Sequence, residues 1–196
     1  GFNMIRTSLP KGRSTLNIYR NMNTDSKRKI RIVKEVQPMM ADRQGFLIVD
    51  AIHSDGQLMP LEEKRYKLEF IGDSITSGEG LAGAKGITEW NSAIFSTLGH
   101  YAVTTADRLD ADYRIISQSG WGVCSSWDND PRRVLPKYYE QVCGLLSGKT
   151  QLESGAGDKN GFTSWQPDAV LVNLGTNDAF AFQSKAWVDE STGETF

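Results

Sequence analysis

The chain has 196 residues, 39 % of them hydrophobic, and its 22 basic and 24 acidic side chains leave a net charge of −2. That near-neutral, ordinary globular composition gives no electrostatic ground for a nucleic-acid or membrane-surface partner. No run approaches the roughly 18 apolar residues of a transmembrane helix. Cys124 and Cys143 lie 19 residues apart, without a metal-ligand spacing, and are expected to be a free buried pair rather than a bridge.

Residues 1 to about 66 read as β structure. Thr15-Leu16-Asn17-Ile18-Tyr19 alternates polar and apolar, Ile30 to Val36 does so in part, and Phe46 to Ile52 is a third strand candidate. Turn formers separate them: Pro10-Lys11-Gly12, Asn21 to Asp25, Asp42 to Gly45 and Ser54-Asp55-Gly56. Three or four short antiparallel strands do not close a sandwich alone. They are therefore expected to be the end of a β-sandwich whose earlier strands lie upstream. Ser26-Lys27-Arg28-Lys29 is a solvated turn, and Pro60 to Lys64 a linker.

From Lys67 onward strands alternate with helices. Leu68 to Ile71 is the first strand. His100 to Leu109 is expected to be a helix with Ala102, Thr105, Ala106 and Leu109 on one face, and Tyr113 to Ser117 is the second strand. Gln118 to Gly122 is a loop. Pro136 is expected to open a helix through Leu146 that stops at Gly148, and Gln151 to Gly161 to form a polar surface loop. Ala169 to Leu174 is almost wholly apolar, as for a parallel strand buried on both faces. The fold class is thus α/β: a doubly wound, flavodoxin-like parallel sheet over 67–196, incomplete at its C-terminal side, preceded by β-sandwich strands over 1–66.

In such a sheet all three strands end at one edge, where doubly wound folds place their sites. The first strand ends in Gly72-Asp73-Ser74, the second in a loop holding Gly120 and Gly122, the third in Gly175-Thr176-Asn177-Asp178. Gly-Asp-Ser alone equally describes a plain turn whose side chains bond local backbone. Together with the other two loops, however, the set supplies a nucleophile and donors for a developing oxyanion: Ser74, a glycine N–H and the Asn177 amide.

At these residues the chain resembles the SGNH (GDSL-like) hydrolases, and more closely the family 2 carbohydrate esterases, in which a jelly-roll β-sandwich precedes an SGNH domain. The resembling stretches are GDSITSGEG at 72–80, HYAVTTADRLDADYRIISQSGWGV at 100–123 and SWQPDAVLVNLGTND at 164–178. The resemblance implies Ser74 as nucleophile, Asn177 as an oxyanion-hole amide and a backbone N–H from Gly122, with Gly120 as the alternative. Asp73 would cap the turn after the first strand, and Asp178 would brace Asn177. Trp121 and Trp127 could line a sugar cleft, whereas Trp165 reads as packing.

The resemblance also implies a histidine base in a late block that this chain lacks, since its two histidines, His53 and His100, fall elsewhere and are expected to be ordinary. The chain is therefore expected to be a fragment, inactive or impaired alone, with an apolar sheet edge covered by another copy or by the rest of the protein. The implied partner is an acetylated poly- or oligosaccharide, hydrolysed at its acetyl ester outside the cell or at its surface. No metal or organic cofactor is implied. A non-catalytic carbohydrate-binding protein or pseudoenzyme is the alternative.

Overall fold

A computed structural model describes residues 9–18, 26–38, 45–87 and 89–196. The chain divides into two compact units, Gly1–Arg31 with His53–Leu58, and Ile32–Ile52 with Met59–Phe196. The second contains the sheet. Its strands are β1 (Tyr66–Gly72), β2 (Ala111–Ser117) and β3 (Ala169–Asn173). They are ordered β2-β1-β3 and all parallel, with Phe70 opposite Ile115 on one side and Leu171 on the other. The helices are α1 (Ser74–Ser77), α2 (Tyr101–Arg108), α3 (Lys149–Glu153) and α4 (Thr176–Ala181). The α/β parallel architecture expected from the sequence is the one observed.

Strand alternation sets the two faces of the sheet. Leu68 and Phe70 point to the α2 side and form the core with Ala102, Ala106 and Ala111. The alanines let α2 approach closely, and Phe70 meets Tyr101 edge-on with ring centroids 5.9 Å apart. On the opposite face Glu69 is 1 % exposed and accepts a hydrogen bond from the Tyr139 hydroxyl at 3.1 Å. Its register neighbour Arg114 lies over the Trp165 ring at 4.8 Å. Trp165 is thus a packing residue, and that face is covered by irregular chain rather than by a helix.

The expected helix from Pro136 to Leu146 does not form. Only a 3-10 turn at Leu135–Lys137 survives. The amides of Val142 and Cys143 donate instead to the carbonyls of Asp158 and Ala156, both at 2.9 Å, and Asn160 donates to Glu140. This non-local pairing satisfies the backbone, while Gly144 would cost a helix interior about 1 kcal/mol relative to alanine. Conversely, the expected surface loop contains most of α3, which starts after Gly148 at φ 125°.

Ala169–Asn173 is an edge strand rather than one buried on both faces, with Val170 and Val172 49 % and 63 % exposed. It pairs with β1 alone, so its outer edge is open among the described residues. No strand forms among the described residues of 9–65. The candidates at 15–18, 30–36 and 46–52 have no regular secondary structure, and most of their large apolar residues, Leu16 and Ile48 among them, are exposed. A strand needs a hydrogen-bonded neighbour, and alternation alone does not provide one. Tyr19 and the turns at 21–25 and 42–44 lie outside the described residues. Cys124 and Cys143 are both free, but Cys124 is exposed rather than buried.

His100 is an ordinary residue with a defined structural task. It is 1 % exposed and caps α2, its Nδ1 accepting from the Ala102 amide at 3.2 Å. Capping needs the neutral ring, since a protonated Nδ1 cannot accept. Burial holds the imidazole below its ordinary value of 6.5, against a smaller upward pull from Glu35. The unfolded chain therefore binds the proton more readily than the native one. His100 should not disturb stability above about pH 6.5, and should progressively destabilise the fold as pH falls below that value. His100→Asn retains a cap acceptor and should flatten this part of the dependence of denaturation midpoint on pH between about 7 and 5.

Candidate active site

The first strand end is built by close packing. A Cβ on Gly72 would lie 2.0 Å from Thr76 Oγ1 and 3.0 Å from the Asn173 carbonyl, so only glycine lets α1 fold back onto the strand end. Asp73 caps α1 by accepting from the Ile75 amide at 3.1 Å. Gly78 closes the turn in the left-handed region at φ 76°, where its amide donates to Ile75 O at 3.3 Å. Ser74 is thereby held at the first helical position and half-exposed. Its hydroxyl makes no hydrogen bond among the described residues.

The second loop is held from two sides. Gln118 N donates to Gly72 O at 3.2 Å, tying it to the first strand end. Gln37 Oε1 accepts from the amide of Ser119 at 3.0 Å and from its hydroxyl at 3.1 Å, and Gln118 Nε2 donates to Pro38 O at 3.2 Å. Gly120 takes φ 79°, and its carbonyl accepts from Trp127 N at 2.9 Å. Its own amide donates to nothing among the described residues. Gly122 differs, being in a parallel bridge with Val134 through which its carbonyl accepts from Leu135 N at 3.0 Å. A Cβ at Gly122 would lie 2.3 Å from both Asp178 Oδ2 and the Ser125 carbonyl. Gly122 is therefore a closely packed glycine, whereas Gly120 makes the left-handed turn.

The third loop supplies Asn177 and Asp178. Asn177 is 7 % exposed, and its Nδ2 donates to Trp121 O at 2.9 Å and, more weakly, to Asp73 Oδ2 at 3.4 Å. One amide thus touches both other loops, and the longer of its two bonds is the weaker. Asp178 does not brace Asn177, as the sequence led us to expect. Its carboxylate accepts from the amides of Val123, Cys124 and Ser125 at 2.7 to 3.2 Å and so fixes the second loop. Burial opposes ionisation of Asp178, but these amides outweigh it and hold the carboxyl below its usual range. Asp73 shows the opposite balance: burial raises it, the Ile75 amide lowers it, and the neighbouring charges of Glu79 and Asp178 add to the rise.

Trp121 cannot offer its ring to a sugar in this arrangement, because it is 6 % exposed and packs on Tyr138 with centroids 5.0 Å apart. Trp127 is 55 % exposed and available. Sequence reasoning missed Glu79, Glu89 and the position of Trp90, which line a cavity beside Ser74. Only the acidic Gly78-Glu79-Gly80 run after the serine hinted at it. Among the described residues no cluster of three or more potential metal ligands occurs, and no helix is long and apolar enough to cross a membrane.

Fold and site together define an α/β domain with a serine, a glycine amide and an asparagine amide at the carboxyl edge of a parallel sheet. Its sequence and structural relatives are family 2 carbohydrate esterases. An acetyl xylan esterase from the rumen bacterium Butyrivibrio proteoclasticus matches 74 % of this chain at 47 % identity and a TM-score of 0.70, over 39 % of its own chain. A family two carbohydrate esterase from Clostridium thermocellum in complex with cellohexaose matches 69 % of the chain at 28 % identity and TM-score 0.52, over 38 % of its own. An acetylxylan esterase / glucomannan deacetylase of Cellvibrio japonicus is 30 % identical over 116 residues, 57 % of this chain. No family model matches. The chain spans 14 % to 31 % of the length of the curated relatives it matches.

Removing the Asp178 carboxylate leaves three loop amides without an acceptor. Asp178→Ala should therefore lower unfolding free energy by about 3 kcal/mol, measured by chemical denaturation at pH 7. Because the native carboxyl is depressed, its contribution is full above the ordinary value of 3.8 and is lost as pH falls below it. The gap between wild type and variant should narrow on that acid limb.

Proposed function

We propose that the chain carries the nucleophile and oxyanion hole of a serine esterase that removes acetyl groups from carbohydrate hydroxyls. In this reading Ser74 Oγ attacks the acetyl carbonyl. The oxygen that becomes negative is received by the amide of Ser74, the amide of Gly120 and the side chain of Asn177. An acetyl-serine forms as the sugar oxygen leaves, and water then releases acetate. A base must take the serine proton and return it to the leaving oxygen. His100 is committed to capping α2, so the base is assigned to a part of the protein outside this chain. Asp73 and Asp178 act as positioning residues for α1 and for the glycine loop.

One observation supports the reading above the others. The Asn177 amide reaches Trp121 O in the second loop and, in the first, Asp73, the residue before Ser74, so one side chain ties the three strand-end loops together. The relatives are named as acetylxylan esterases, glucomannan deacetylases and carbohydrate esterases, which agrees with an ester of a polysaccharide as substrate. The same reading takes residues 1–66 as the end of a jelly-roll domain and the open β3 edge as a surface covered by more of the protein or by another copy. It also places the enzyme outside the cell or at its surface, where such substrates occur.

The test is hydrolysis of a small acetyl ester by the full-length gene product. Ser74→Ala should lose at least about a thousandfold in kcat. Asn177→Ala should lose about 10²- to 10³-fold in kcat with KM little changed. Equal rates in wild type and Ser74→Ala would sink the nucleophile assignment and leave the non-catalytic carbohydrate-binding reading.

A further inference from the structure

A cavity of about 280 Å³ opens beside Ser74, in the loop that follows α1, with Ile75, Glu79, Glu89, Trp90 and Ile94 in its walls. An acetyl methyl does not need that volume, since one water occupies only about 30 Å³ in the liquid. The cavity lies near the lower end of the few-hundred-Å³ range of small-ligand pockets, the size of one sugar ring. Its walls combine one aromatic ring, aliphatic side chains and two carboxylates. Trp90 is held edge-on against the fully buried Phe95, centroids 6.1 Å apart and planes at 78°, while remaining 41 % exposed. It is a fixed aromatic surface with area left to cover.

Glu79 is the second element. Its backbone is anchored to the catalytic turn, its amide donating to Ser74 O at 3.1 Å. Its Oε2 is enclosed and accepts no hydrogen bond among the described residues. An enclosed acceptor without a donor is costly, and turning this carboxylate into the cavity its residue lines, toward a ligand hydroxyl, would relieve that cost. The rise in the Asp73 carboxyl includes repulsion from Glu79, so the negative field of Glu79 extends to the base of the turn. Glu89 adds a second acid to the same cavity.

We propose that this cavity seats the sugar ring next to the scissile ester, with Trp90 as its stacking face and Glu79 and Glu89 accepting its hydroxyls, and that the two carboxylates make the site select neutral over acidic sugars. The inference rests on the esterase reading of Ser74. A neutral ring brings hydroxyl donors to both acids. A uronic acid brings a third carboxylate close to two that already line the cavity, and like charges at that range repel.

The experiment compares kcat/KM of the full-length gene product on acetylated neutral xylo-oligosaccharides and on acetylated oligogalacturonides, with 4-nitrophenyl acetate as the reference ester. Wild type should favour the neutral substrate by about tenfold or more, roughly what one unfavourable charge contact of modest strength produces. The Glu79→Gln and Glu89→Gln double variant should lose most of that preference, chiefly through faster turnover of the uronide. Trp90→Ala should raise KM for the neutral sugar relative to KM for the reference ester by about tenfold. A preference unchanged in the double variant, or a KM ratio unmoved by Trp90→Ala, would overturn the proposal.

Loss of Ser74-dependent cleavage of the reference ester would instead defeat the underlying esterase reading. Calorimetric titration with unacetylated xylo-oligosaccharide and oligogalacturonide then decides the cavity separately. Binding of the neutral sugar that Trp90→Ala weakens, and binding of the uronide that the double variant strengthens, support it; identical affinities in all variants refute it.

Discussion

One carboxylate sets the geometry on which the site depends. Asp178, in the first turn of α4, receives three consecutive backbone amides from Val123, Cys124 and Ser125. A loop with little regular structure would otherwise leave those amides to water. Held this way, the loop presents Gly120 at φ 79° and the Trp121 carbonyl to the Asn177 side chain beside it. The third strand end thus builds the second, and the Asn177 link to Asp73 connects both to the first. Gly122 completes the arrangement by absence: the space its side chain would need is filled by the Asp178 carboxyl.

The sheet beneath is small, and this explains how polar its supports are. With three strands and a core of Leu68, Phe70 and three alanines on the α2 side, apolar burial is modest. Buried polar groups complete the structure: Glu69 under the Tyr139 hydroxyl, Asp130 beneath Arg132 and Arg133, and His100 at the start of α2. Each makes a directional bond to a specific partner, although the buried His100 Nε2 has none among the described residues, and such bonds fix a conformation more sharply than an apolar contact would. The exposed valines of β3 mark where this frame stops covering itself.

The division of labour at the strand ends separates chemistry from support. The Ser74 hydroxyl makes no hydrogen bond among the described residues, and Asn177 holds a weak 3.4 Å bond to Asp73 beside its bond to Trp121 O. Asp73, Asp178 and Gly122 are fully engaged in holding them. The cavity lined by Glu79, Glu89 and Trp90 belongs to neither set.

Much of this was legible in the linear order. Parallel strands alternating with helices carry three glycine-bearing turns to one edge, because a parallel sheet ends all its strands on the same side. Ser74, the glycine pair and Asn177 follow from that alone, as do α2 and the three strands to within a residue or two. What the sequence could not decide were the long-range competitions. Pro136 to Leu146 has a helical pattern, yet its amides pair with carbonyls near Ala156 and Asp158. Ala169 to Asn173 has the composition of a buried strand and lies at an edge. Spacing from the strand end favours Gly122 over Gly120, and only the fold shows Gly122 bridged to Val134 and packed on the Asp178 carboxyl. Local propensity is written in neighbouring residues. Which amide finds which acceptor depends on what the rest of the chain brings within 3 Å, and that is settled only when the chain has folded.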